Sequence, residues 1–212
     1  MFLSIEGIDG SGKTTLCQAL TDILPDAVFL SRKSIGHNLS PELQEILGAL
    51  RSAIWPRHDF RQEPIGTLYW FFKLMAWYTA FDRTVLRQAL TEHKYVVVDG
   101  WIHRPLVKTA MRSDLAYEEL LVMSKHLTQP DLTFHLEVPA ADCWARRQTY
   151  CFHEMGYWDG YLADDQRQNF LDYQQTIQEK LLDFGLRYDW KRIPNAKRSV
   201  ADTCAELVSL IP

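Results

Sequence analysis

Residues 7–14 read Gly7-Ile8-Asp9-Gly10-Ser11-Gly12-Lys13-Thr14, a complete G-x-x-x-x-G-K-T pattern. Few strings this short restrict a fold as tightly. An apolar-rich stretch, Phe2-Leu3-Ser4-Ile5-Glu6, precedes it, and a helix-like run, Thr15-Leu16-Cys17-Gln18-Ala19-Leu20, follows. A strand feeding a glycine-rich turn feeding a helix aims several backbone N–H groups and the helix N-terminus at one anion. Gly7, Gly10 and Gly12 keep side chains from blocking the wrapped phosphate, and Ser11 and Thr15 complete the cradle. Lys13 is placed to reach the β- and γ-phosphates, and the Thr14 hydroxyl to ligate Mg²⁺. ATP with Mg²⁺ is the expected ligand.

Four further stretches, Ala27–Leu30, Tyr95–Val98, 132–136 and 188–193, are mainly apolar rather than alternating, which suits parallel strands covered on both faces. Helical segments are expected between them. Pro41–Ile54 follows Ser40, a good N-cap with proline at the first helical position. The segment 65–91 places Leu68, Phe72, Met75, Val85, Leu86 and Leu90 at steps of three and four, and 114–127, Ala140–Arg147, 164–185 and 199–210 complete the set. Strand and helix alternate, so the fold expected is a doubly wound α/β sheet with ligands at the carboxyl ends of its strands. With 212 residues, 47% of them hydrophobic, and no linker or repeat, residues 1–212 read as one domain.

The net charge of −4 argues against a nucleic-acid or anionic-membrane binder, so affinity for phosphate must come from local groups. Cys17, Cys143, Cys151 and Cys204 form no C-x-x-C pair and read as reduced thiols of a cytoplasmic protein. The N-terminus lacks a basic leader, and the aromatic cluster around Trp70 carries Lys73 and is too short to span a bilayer. The seven histidines show no metal-binding spacing.

Tyr95-Val96-Val97-Val98-Asp99 is an apolar strand ending in an acid, as a Walker B segment does; Asp99 is expected to hold the Mg²⁺ shell or orient the acceptor. Asp9 lies inside the phosphate loop, where a carboxylate is unfavourable unless it faces a hydroxyl, a cation or the acceptor. Glu6 has two readings, a strand-end acid in a local hydrogen bond or the partner of a nearby base.

The string FLSIEGIDGSGKTT at 2–15 resembles the opening of bacterial thymidylate kinases, E-G-x-D-G-x-G-K-[ST]. VVVD at 96–99 and PDLTFHLEVP at 130–139 continue the resemblance in order. It implies a three-layer P-loop NTPase sandwich with a five-stranded parallel sheet of order 2-3-1-4-5. It also implies transfer of the γ-phosphoryl of Mg·ATP to a nucleotide or nucleoside-like small molecule, usually by a homodimer. Lys13 and Thr14 would hold the ATP phosphates and Mg²⁺, Asp9 an acceptor hydroxyl, and Asp99 the acceptor and Mg²⁺ region.

The departures fall on the acceptor side. The family continues its third strand as D-R-[YFH], its arginine gripping the acceptor phosphate; here the string is Asp99-Gly100-Trp101. One such charge-assisted contact is worth about 1.5–3 kcal/mol. The first-loop motif T-R-E-P is replaced by Ser31-Arg32-Lys33-Ser34. Counting back from Asp99 without gaps, the base-reading arginine becomes Thr79 and the base-stacking phenylalanine Met75, which makes dTMP a poor acceptor. Arg32, Lys33, Arg51 and Arg104 are candidate replacements for the missing charge. A lid is expected at about 147–162, with Arg146 or Arg147 stacking on adenine or reaching the phosphates, Arg147 the candidate catalytic arginine and Arg146 the candidate nucleotide-binding one, and aromatic residues that suit a bulkier, less charged acceptor. The alternatives are a kinase of a non-nucleotide small molecule and an ATP-binding module without acceptor. A GTPase switch is disfavoured because N-K-x-D and D-x-x-G are missing.

Overall fold

A computed structural model describes residues 1–36, 38–55, 66–147 and 149–212. Its five strands are β1 (Phe2–Glu6), β2 (Ala27–Leu30), β3 (Tyr95–Val98), β4 (Leu132–Glu137) and β5 (Lys191–Pro194). They form one parallel sheet in the order β2-β3-β1-β4-β5, the order that the resemblance implies. Successive side chains of β1 enter different cores. Leu3 and Ile5 face α1 (Lys13–Ile23) and α9 (Val200–Ser209), packing with Leu16, Leu20, Cys204 and Leu207. Phe2 faces the larger layer, built from α3 (Thr67–Phe81), α4 (Arg87–Glu92), α5 (His103–Arg112), α6 (Tyr117–Ser124), α7 (Ala140–Arg147) and α8 (Gln166–Arg187). Helix α2 (Pro41–Ile54) lies against α3 and is capped as expected, Leu43 N donating to Ser40 Oγ over 3.3 Å. Among the described residues no helix is long and apolar enough to cross a membrane.

Three differences from the sequence reading have local causes. The expected helix 65–91 is α3, a π-helical turn at Asp82–Leu86 and then α4, its first residue lying outside the described ones. Its apolar stripe is broken as well: Leu68 and Phe72 are exposed while Met75 is buried. Strand β5 begins at Lys191 rather than near 188, because α8 runs to Arg187 and Trp190 N donates back to Gly185 O over 2.9 Å. Helix α6 is confined to Tyr117–Ser124, its start set by Glu119, whose carboxylate accepts from Ala116 N over 2.7 Å.

Candidate active site

The parallel sheet brings the carboxyl ends of β1 and β3 side by side, and both chemical motifs hang from those ends. After Glu6 the chain passes through the glycine-rich loop into α1. Gly12 caps that helix at φ 96°, a left-handed conformation that suits glycine. Gly10 sits so close to the Tyr150 hydroxyl that a Cβ there would overlap it. Lys13 Nζ donates to Ile8 O over 2.6 Å and to Ser11 Oγ over 3.3 Å, within its own loop. Burial, reinforced by the Arg104 charge and opposed by Asp9, lowers its pKa to about 8. Thr15 is exposed in the first turn of α1.

Thr14 Oγ1 donates to Asp99 Oδ2 over 2.7 Å, so the two residues named as metal ligands touch although 85 positions separate them. The other carboxylate oxygen, Asp99 Oδ1, is buried and accepts no hydrogen bond from the described residues. A hydroxyl and a carboxylate with an unused oxygen are hard donors. Mg²⁺ is commonly held by one or two protein oxygens, with substrate phosphates and water completing the shell. The residues present fit that ion. Among the described residues no group of three or more His, Cys, Asp and Glu side chains gathers into a self-sufficient metal site.

Asp9 is buried, and α5 reaches it with two cations. Arg104 Nη1 donates to Oδ1, Lys108 Nζ lies 4.0 Å from Oδ2, and Gln174 of α8 donates to Oδ2 over 3.2 Å while accepting from Asp9 N over 3.1 Å. Burial alone would raise the carboxyl pKa; Arg104, Lys108 and Lys13 outweigh it and hold the pKa well below the usual carboxylate value. Lys108 titrates down to about 8, its burial only partly offset by Asp9. Arg104, Lys108 and Arg112 follow one another at steps of four, on one face of α5, and all three line the same cleft. Sequence reasoning picked out Arg104 alone; that i, i+4, i+8 spacing was the available signal for the other two. Nothing in the sequence marks Gln174.

Gly100 turns at φ 86°, and a Cβ there would lie 3.5 Å from both Arg32 Nη1 and Glu6 Oε2. The Arg32 guanidinium therefore stands beside the position from which the family's arginine would project. Its backbone is held by Trp77 Nε1, which donates to Arg32 O over 2.8 Å. Glu6 makes local bonds: Oε1 accepts from Trp101 N over 2.7 Å and from Ser4 Oγ over 3.3 Å.

Asp9, Arg32 and Arg104 form one end of a cleft with a cavity volume of about 210 Å³, whose α3 wall includes Trp70, Phe71, Leu74 and Tyr78. Met75 and Thr79 are not part of it. Met75 is packed in the core, and Thr79 Oγ1 donates to Met75 O and meets His126 Nε2 at 2.9 Å on the outer side. The ungapped count from Asp99 also crosses the π turn at Asp82–Leu86. That turn spends more residues per unit of rotation than an α-turn, so it sets the phase of α3 relative to α4. The residues one position earlier, Leu74 and Tyr78, do line the cleft.

Arg146 and Arg147, adjacent at the end of α7, point to different places. Arg146 Nη1 donates to Ser11 O of the phosphate loop over 3.2 Å, and Nη2 to Asn195 O and Ala196 O beyond β5, each over 3.3 Å. Arg147 pairs with Glu154 through both nitrogens, at 3.2 and 3.1 Å, and lies over the Tyr150 ring. Lys33 and Arg51 are exposed; Lys33 lines the cleft rim, its Nζ 5.4 Å from the Trp55 ring.

The same architecture occurs in thymidylate kinase from Ehrlichia chaffeensis, which matches all of this chain and 98% of its own with a TM-score of 0.63 at 15% identity. The probable thymidylate kinase of Pyrococcus abyssi is 24% identical across 99% of this chain and 95% of its own. That of Methanoculleus marisnigri is 31% identical over 69% of this chain and 67% of its own, and the thymidylate kinase of Prochlorococcus marinus 30% over 69% and 68%. The thymidylate kinase family model spans residues 5–206, from within β1 to within α9. With its phosphate loop, Thr14–Asp99 pair and strand order all in place, the chain belongs to the thymidylate kinase family of ATP- and Mg²⁺-dependent P-loop nucleotide kinases.

Proposed function

We propose that this protein transfers the γ-phosphoryl of Mg·ATP to the phosphate of a nucleoside monophosphate held in the cleft between α3, α5 and the 149–162 segment. The observation that carries this reading is the setting of Asp9. A hydroxyl acceptor needs a base to take its proton, and a base works best with a pKa near the operating pH. Asp9, clamped by Arg104 and Lys108 with its pKa driven down, is a poor base. An acceptor phosphate needs no base, because its second pKa is about 6 and it is largely ionised at neutral pH. It needs cations, and Arg32, Arg104 and Lys108 converge at that end of the cleft. Lys13 offsets the charge of the transferring group, and Arg146 steadies the loop that carries it. Thr14 and Asp99 would hold Mg²⁺, which would supply charge neutralisation for the transferring phosphate.

On the α3 wall, Leu74 and Tyr78 line the cleft one residue before the counted positions Met75 and Thr79, and neither carries a charge. Weak selectivity for thymine follows. The buried thiols of Cys17, Cys143 and Cys204 suit a reducing cytoplasm. A homodimer is read onto the exposed outer ridge of α3, Leu68, Tyr69 and Phe72, and light scattering of the wild type beside Phe72→Glu would test it. The function is tested by ADP release with Mg·ATP across nucleosides, each beside its monophosphate, dTMP and thymidine included. Turnover with monophosphates and none with nucleosides is expected; turnover with nucleosides alone would overturn the reading.

A further inference from the structure

The 147–162 segment was expected to close over the ATP phosphates, yet its second half is fastened to the acceptor side. Gly156 and Gly160, at φ 78° and 82°, bracket a single 3₁₀ turn, Tyr157–Asp159. A Cβ on Gly156 would overlap the Tyr173 ring, so the turn rests directly on α8. Asp159, its side chain only 2% exposed, pairs through both oxygens with Nε and Nη2 of Arg112 on α5. Pinned in this way, the turn presents Trp158 to the cleft, where it faces Trp70 of α3 with ring centroids 6.4 Å apart and planes 29° from parallel. His153 flanks Trp158 at 5.4 Å, and Lys73 Nζ stands 3.5 Å over the Trp70 ring. Trp77 and Trp101, by contrast, are 1% and 0% exposed and belong to the core; Trp70 and Trp158 are half-buried, each with surface on the cleft.

We propose that Trp70 and Trp158 form an aromatic grip for the planar base of the acceptor, and that the Arg112–Asp159 pair is its positioning element. The inference rests on the reading of this cleft as the acceptor site. Six cationic side chains and two acids among the described cleft residues suit the phosphate, and the Leu74–Tyr78 face offers no charged reader to hold the base. Two indoles can, because every nucleobase has a π-face. Such stacking is sequence-tolerant and worth about 1–3 kcal/mol per base on alanine substitution, a change of about 5- to 150-fold. The segment thus serves as a wall of the acceptor site as well as bordering the phosphate loop.

The test is steady-state kinetics with the monophosphate that the wild type turns over best. Trp158→Ala should raise the acceptor KM about 5- to 150-fold and leave the ATP KM within twofold, while Trp158→Phe retains most of the affinity. Trp158→Leu keeps apolar volume without a π-face and should behave like the alanine variant, which separates stacking from packing. Asp159→Asn should raise the acceptor KM with little change in kcat, as a positioning role requires. An unchanged acceptor KM in Trp158→Ala and Trp158→Leu, or an equal rise in the ATP KM, would overturn the grip. Should the wild type turn over no monophosphate, the proposed function fails on its own. The grip is then decided by tryptophan fluorescence titrated with thymidine and dTMP: quenching that weakens in Trp158→Phe sustains it, and quenching identical to the wild type, or none, overturns it.

Discussion

Lys13 makes the phosphate loop a pH-dependent binder, and the sign and size of the effect follow from its surroundings. Burial and the nearby Arg104 guanidinium bring its pKa down to about 8. Only the ammonium form attracts phosphate, and a bound phosphate restores the proton by stabilising the charge, so binding is linked to proton uptake. At pH 7 about nine-tenths of the free protein carries the proton, and at pH 9 about one-tenth, so each unit above 8 costs about tenfold in affinity, or about 1.4 kcal/mol. Isothermal titration with Mg·ADP from pH 7 to 10 reads this directly, because ADP has lost its last phosphate proton throughout that range. Repeating the pH 8 titration in buffers of different ionisation heat should show about half a proton taken up per nucleotide. Lys13→Arg is the control, since arginine does not titrate here and its affinity should stay flat. Affinity flat from pH 7 to 10 in the wild type, or a fall of equal size in Lys13→Arg, would refute the assignment of the titration to Lys13.

Arg146→Ala should weaken Mg·ADP binding about 10- to 100-fold through loss of the bond to Ser11 O, while Arg147→Ala should change it less than twofold; calorimetry separates them. Leu74→Ala should raise the acceptor KM several-fold and Thr79→Val should leave it unchanged, since Leu74 lines the cleft and Thr79 does not; equal effects would show that this wall does not meet the acceptor. Gly100→Arg should lower Tm by about 2–8 °C, because a left-handed residue other than glycine costs about 1–2 kcal/mol. It should also fail to improve the acceptor KM, because its side chain starts beside Arg32; recovery is expected only when Arg32→Ser is added.

What the sequence made legible is what short segments determine. The phosphate loop, the strand ending at Asp99 and the alternation of strands and helices each lie within a few consecutive residues. Their assembly follows from the sheet order, which places Thr14 against Asp99. The acceptor side is assembled otherwise, from pairs far apart in the chain. Asp9 meets Arg104 across 95 positions, and Arg112 meets Asp159 across 47. No local pattern encodes either pair, so the sequence left Asp9 facing a hydroxyl, a cation or the acceptor without naming Arg104, and 147–162 read as a lid with no tie to α5. The π turn at Asp82–Leu86 has no compositional mark, yet it sets the phase between α3 and α4. Gly100 shows how such blindness misleads. Read along the chain, it is a lost arginine, which points either to a nucleotide gripped differently or to an uncharged acceptor. In space the charge is carried by Arg32, from the loop after β2, with Arg104 on Asp9 behind it. A phosphate responds to cations where they converge and not to the strand from which they come, so the local charge, and with it the case for a phosphorylated acceptor, survives the substitution.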